Sequence, residues 1–156
     1  MEVRNKELHR IDATAIIYKD GKYLIIKRAP HKKSFPNKWT VPGGGMEVDD
    51  YINTPTSNKA GQWYYAVEKT LRREIREEVS LEVEKPEYLL DLVFVSPDGQ
   101  PHIVLSYYAK YKSGEVKLDA DSTEYKWVTL EEAKSYDIID GIWEEIEMAD
   151  KVIKSK

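Results

Sequence analysis

The sequence predicts an α/β fold in which a mixed β-sheet is sandwiched between α-helices. Three observations lead there: two β-prone runs joined by Asp20-Gly21, a segment with apolar residues every four positions, and later strand-like runs interspersed with helices without a strict βαβ alternation. The first run, 13–18, is followed by Lys19-Asp20-Gly21-Lys22 and then by Tyr23-Leu24-Ile25-Ile26. Asp-Gly between such runs marks a hairpin, because glycine readily takes the positive φ that a tight turn needs. A basic loop follows over 29–37, then a short strand at Trp39-Thr40-Val41 that Pro42 stops, then Gly43-Gly44-Gly45. Over 64–79, Val67, Leu71, Ile75 and Val79 make one apolar stripe, so this segment is a helix that packs on the sheet. Strands are expected at 88–95, 103–111 and 125–129, the first two linked by Ser96-Pro97-Asp98-Gly99. Thr129, with Glu132 three residues on, has the form of a capping box, and a last helix is expected over 142–153.

At 156 residues the chain suits one domain, and 41% hydrophobic with 33% charged residues supplies enough apolar material for a core. The formal charge of -4 is spread along the chain, which argues against the basic surface that duplex nucleic acid requires. An acidic chain can still handle a small polyphosphate when a divalent ion supplies the local positive charge. The lack of cysteine excludes disulfide scaffolds, thiol nucleophiles and thiolate metal sites, and His9, His31 and His102 are too scattered to suggest zinc. No apolar stretch resembles a signal peptide or a membrane span, so a cytoplasmic protein without membrane contacts is expected.

Glu74, Glu77 and Glu78 have i, i+3, i+4 spacing and project from one face of the helix. Such a cluster is either a solvated face, partly compensated by Arg73 and Arg76, or a site for a hard cation, which prefers carboxylate, carbonyl and water oxygens. The upstream Pro42-Gly43-Gly44-Gly45-Met46-Glu47 favours the second reading, since glycines permit close backbone approach to metal or phosphate. Around the loop, Lys27, Arg28, His31, Lys32, Lys33 and Lys38 could attract polyphosphate, and Arg28 and Lys38 are the substrate-binding candidates among them. Trp63-Tyr64-Tyr65 could stack on a base, but such residues more commonly pack a loop or meet a second subunit.

Arg73 to Leu81 resembles the second half of the Nudix box, in which Arg-Glu-aliphatic-x-Glu-Glu-x-Gly-aliphatic follows Gly, five residues, Glu and seven residues. Ser80 replaces the closing glycine. The first half resembles the box as well, with Gly44 as its first glycine and Asp50 where glutamate is usual. Between the halves the spacing departs: Arg73 follows Asp50 by 23 residues where the family has eight, so about 15 residues are inserted, placing a loop at 51–65. Loop insertions are tolerated because closure entropy grows only logarithmically with length. The resemblance extends from about Ile11 to Val128 and includes Leu24-Ile25-Ile26-Lys27-Arg28 and Glu124-Tyr125-Lys126-Trp127-Val128.

The resemblance implies a Nudix fold and a hydrolase that cleaves a pyrophosphate bond in a nucleoside diphosphate linked to another moiety, such as a nucleoside triphosphate or a sugar nucleotide. It implies Mg2+, with Mn2+ as a substitute, held by Glu74 and Glu78, by Glu77 directly or through water, and by the Gly44 carbonyl. Arg73 would orient the helix glutamates, with Glu47 as a structural partner. Relatives take their general base either from the box, here Glu77 or Glu78, or from a loop before the late Trp strand, here Asp121 or Glu124. Dimers are frequent in the family, so a homodimer is admitted. The split box and Ser80 leave two other readings open: a non-catalytic nucleotide-binding domain that regulates a partner, and a plain interaction domain.

Overall fold

The computed structural model describes residues 2, 3 and 5–156. Strands β1 (Arg10–Lys19) and β2 (Lys22–Arg28) form the expected hairpin, with Tyr18 opposite Tyr23. Asp20 and Gly21 have φ of 51° and 74°, the paired positive values of a turn whose twist matches that of the strands it joins. There follow β3 (Trp39–Thr40), β4 (Gly43–Gly45), a single 3-10 turn at Val48–Asp50 and helix α1 (Ala66–Val79). The remainder is β5 (Glu82–Val83), β6 (Glu87–Val95), β7 (Pro101–Ser113), β8 (Ser122–Val128), α2 (Leu130–Ala133) and α3 (Ile142–Lys154).

The strands run in the order β3-β2-β1-β7-β5, with β4 also on β1, β6 on β7 and β8 on β2. These strand pairings are antiparallel except β1 with β7, which is parallel, so the sheet is mixed as the sequence predicts. Alternation along the strands divides the core between two helices. Ala13, Ala15 and Ile17 of β1 and Leu24 and Ile26 of β2 pack with Leu71, Ile75 and Val79 of α1. Ile16, Tyr23 and Ile25 turn to the other face and pack with Ile146 and Ala149 of α3. Each large aliphatic side chain so buried contributes about 1.5–3 kcal/mol.

Three local readings of the sequence change. Gly43–Gly45, read as a segment whose backbone can approach metal or phosphate, is a strand: Thr14, Ala13 and Asp12 of β1 face Gly43, Gly44 and Gly45 in antiparallel register. Helix α1 begins at Ala66 instead of 64, because Tyr65 takes a left-handed conformation with φ 58°. The short β5 pairs with β7 and carried no periodic signal in two residues. Thr129 does cap α2, its side chain accepting from Glu132 N. Ser80 ends α1 in the left-handed region, with φ 61°, so it keeps the conformation that glycine adopts freely in the box.

Residues 51–65 fold upon themselves. The Trp63 ring lies 5.1 Å from that of Tyr51, and its Nε1 donates to Thr54 O at 2.9 Å. Asn58 Nδ2 donates to Gln62 Oε1 and to the Tyr64 hydroxyl, each at 2.8 Å. Packing therefore accounts for Trp63 and Tyr64, whereas Tyr65 is 79% exposed. Among the described residues no helix is long and apolar enough to cross a membrane.

Candidate active site

Helix α1 packs its apolar stripe into the core along its length and lies against β4, where it carries Arg73, Glu74, Glu77 and Glu78. Arg73 is the hub. Its Nε donates to Asp50 Oδ1 and its Nη2 to Asp50 Oδ2 at 3.2 Å. Nη2 also donates to Gly45 O at 2.9 Å, while Nη1 donates to Glu74 Oε1 at 2.8 Å and Glu77 Oε2 at 3.1 Å. One planar guanidinium thus binds the 3-10 turn, β4 and two helix glutamates, a fork that lysine could not reproduce.

Asp50 is the partner that fixes this hub, and its side chain is 1% exposed. Burial alone would raise its pKa, but Arg73, the Glu47 N–H and the Thr70 hydroxyl bind the ionised form and hold it at about 2. Thr70 Oγ1 donates to Asp50 Oδ2 at 2.6 Å and Glu47 N donates to the same oxygen at 3.0 Å. The structural partner of Arg73 is therefore Asp50, and Glu47 contributes to the arrangement through its backbone. A carboxylate one methylene shorter than the usual glutamate still reaches Arg73, because the 3-10 turn lifts Asp50 toward the helix.

Glu74 and Glu78 converge on the glycine strand. Glu78 Oε1 accepts from Gly43 N at 3.1 Å. A Cβ added to Gly44 would stand 2.6 Å from Glu74 Oε2, so only glycine admits that carboxylate. Burial pushes both carboxyls above the usual carboxylate range; for Glu78 the nearby Glu74 and Asp119 charges add to the effect, whereas for Glu74 the Arg73 guanidinium offsets part of it. Two half-buried carboxyls held together in this way call for a shared proton or a cation. Gly44→Ala should therefore displace the Glu74 carboxylate and abolish any stabilisation by added Mg2+, checked by melting wild type and variant with and without the ion.

Among the described residues no three Asp, Glu or His side chains form a ready cation cage. The site instead offers the pair Glu74 and Glu78, with Glu77, 57% exposed at its side chain, turned toward Arg73. This donor set fits Mg2+, which keeps several waters and is held by one or two carboxylates together with substrate phosphates.

The remaining candidates have other partners. Asp121 sits 3.5 Å from His31 and 3.3 Å from Lys32, in an open cleft of about 300 Å³ that Arg28 also lines. Glu124 pairs with Lys27 across β2 and β8 at 3.3 Å. Arg28 donates to Ser34 O at 2.8 Å, and Lys38 to Asp137 at 2.8 Å. The loop acid whose charge acts on Glu78 is Asp119, which sequence reasoning missed; its backbone N–H donates to Glu78 O at 3.3 Å. It lies in the same polar turn as Asp121, and only the fold separates the two.

A family model for the NUDIX domain matches residues 8–146. The chain belongs to the Nudix hydrolase family. Nucleoside triphosphatase NudI of Klebsiella pneumoniae (strain 342) is 29% identical over 133 residues, covering 79% of this chain and 84% of the relative. NudI of Escherichia coli (strain K12) is 29% identical over 140 residues with the same coverage. A MutT Nudix hydrolase from Burkholderia pseudomallei superposes with a TM-score of 0.71 at 23% identity, covering 91% of this chain and 98% of the other. An ADP-ribose pyrophosphatase from Streptococcus suis superposes at 0.68 with 16% identity, covering 96% and 95%. These likenesses establish the Nudix fold, and family membership makes the chain a Nudix-type pyrophosphohydrolase.

Proposed function

We propose that this Nudix protein is a magnesium-dependent hydrolase that cleaves a pyrophosphate bond in a nucleoside triphosphate or a related nucleoside diphosphate derivative, by attack of water at phosphorus. The observation that carries the reading is the Glu74 and Glu78 pair, set against Gly43 and Gly44 and steadied by the Arg73 hub. The nucleoside triphosphatase relatives support the substrate class. An organised set of all three helix glutamates favours catalysis over passive nucleotide binding.

Glu74 and Glu78 would hold Mg2+, or Mn2+ in its place, with Glu77 and the Gly44 carbonyl as further ligands. When bound, the ion would neutralise phosphoryl oxygens and assist alignment of water and leaving group. Arg73 holds Glu74 and Glu77 at the site and keeps their charge from driving them apart. Asp119, whose charge acts on Glu78, would accept a proton from the attacking water. Arg28 and Lys38 are the proposed phosphate contacts, and each would exchange its present partner, Ser34 O or Asp137, for substrate. The segment 51–65 is proposed as an insertion that splits the box without separating its halves, since Asp50 and Arg73 still meet.

The test is a panel of nucleoside triphosphates, sugar nucleotides and dinucleoside polyphosphates, incubated with and without Mg2+ while nucleotide, pyrophosphate and phosphate are measured. Metal-dependent release of nucleoside monophosphate is expected from at least one of them, with label from isotopic water entering at phosphorus. Turnover of none, or turnover indifferent to a chelator, contradicts the proposal.

A further inference from the structure

We infer that the chain forms a two-fold dimer through β6, which pairs antiparallel with β6 of a second copy and joins the two sheets into one. The inference is independent of the hydrolase reading and concerns a surface which that reading does not use.

Strand β6 is an edge of the sheet. Among the described residues it pairs with β7 alone, while β7 has β1 on its other side. Its sequence is apolar or aromatic everywhere except Glu87 and Asp91, a pattern that suits a strand covered on both faces. Yet Tyr88, Val93 and Phe94 are 54%, 57% and 43% exposed. Val93 shares one face of the sheet with Asp91 and Phe94 lies on the other, so apolar surface is open on both sides of the strand. A long apolar edge of this kind is a template for a further strand.

The register with β7 fixes which backbone groups face outward. Ser96 N donates to Gln100 O at 3.0 Å at the end of the hairpin, and inward-bonded residues then alternate along the strand. Phe94, opposite His102, and Leu92, opposite Val104, therefore turn their N–H and C=O to β7. Val95 faces Pro101, which has no N–H to offer. Val95, Val93 and Asp91 thus turn theirs to the open edge. Pro86 and Pro97 bracket this stretch, since neither can donate to a longer ladder.

An edge with outward groups at 91, 93 and 95 is complementary to itself. A two-fold axis at Val93 sets Val93 against its own copy and Asp91 against the partner's Val95, so that each outward residue exchanges both backbone bonds. On the other face, Phe94 meets the partner's Leu92. The charges select this register. An axis at Asp91 would oppose two carboxylates at the centre of the interface, whereas the axis at Val93 holds them at opposite ends. The Tyr88 hydroxyl donates to Asp91 Oδ2 and ties that carboxylate back along its own strand. One edge supplies both halves of every pair, which is what an isologous interface requires.

The test is sedimentation velocity of the full chain at up to about 0.1 mM, enough to populate a dimer of micromolar affinity. Val93→Lys, Val95→Lys and Val93→Cys are compared with the wild type, with far-UV circular dichroism to establish that each is folded. The wild type should sediment as a dimer. Val93→Lys should weaken association by about tenfold or more, because two ammonium groups then face each other on the axis. Val95→Lys should tighten it, because each lysine then faces the partner's Asp91; general damage to the strand would weaken both. The chain has no cysteine, so Val93→Cys can cross-link only to its own copy, and oxidation should convert it to a covalent dimer. A monomeric wild type, a dimer indifferent to Val93→Lys, or equal weakening by the two lysines overturns the inference. Should Val93→Lys fail to fold, Val93→Cys decides: a covalent dimer upholds the pairing, and failure to cross-link under oxidation overturns it.

Discussion

Glu78→Gln is expected to lower kcat by about a thousandfold, on the order of 4 kcal/mol of transition-state stabilisation, while the fold is retained. Glutamine keeps the acceptor for Gly43 N but cannot supply the second negative charge beside Glu74. The stability of the free protein should move the other way. Folding raises the Glu78 carboxyl above its ordinary range, so the native state holds a proton that the unfolded chain has already released. The associated stability is present below the unfolded pKa, about 4.3 for glutamate, and is lost as pH rises through the folded value. Metal-free wild type should therefore melt at lower temperature as pH rises across that window, and Glu78→Gln should flatten the trend. Added Mg2+ should restore the wild type at neutral pH and do little for the variant. Melting curves at several pH values, with and without the ion, read all of these effects.

Asp50→Asn is expected to destabilise the protein by about 3–5 kcal/mol, because it leaves the Arg73 guanidinium without its buried counter-charge. For a chain of this size that corresponds to a fall of roughly 10 °C in melting temperature. The pH dependence has the opposite sign to that of Glu78. Folding depresses the Asp50 carboxyl to about 2, so its contribution is present above the unfolded value, about 3.9, and disappears as pH falls through about 2. The variant should lose this part of the acid transition, which denaturation between neutral and strongly acidic pH will show. Activity should fall too, since Arg73 orients Glu74 and Glu77 only while Asp50 anchors it.

The sandwich and most strands were legible because their signals are local. Leu71, Ile75 and Val79 announce a buried helix stripe, and Asp20-Gly21 announces a turn, whatever the rest of the chain does. The halves of the box were legible by resemblance, and in the fold Asp50 meets Arg73 across the intervening segment. Interactions set by tertiary register were not legible. The glycine run reads as a turn in isolation and becomes a strand only because β1 supplies backbone partners. Asp119 and Asp121 are equivalent in composition, yet Asp121 joins His31 and Lys32 whereas Asp119 acts on Glu78. Thr14 and Ser106 lie far apart in sequence, and the parallel pairing of β1 with β7 is what sets them side by side.

Calorimetric titration of Mg2+ into the metal-free protein, repeated in buffers of different ionisation heat, tests most directly whether β4 and α1 build one metal site. Binding should release protons, because the ion replaces what the Glu74 and Glu78 pair holds, and Glu78→Gln should abolish it. Absence of binding to the wild type, or undiminished binding to Glu78→Gln, would contradict the assignment.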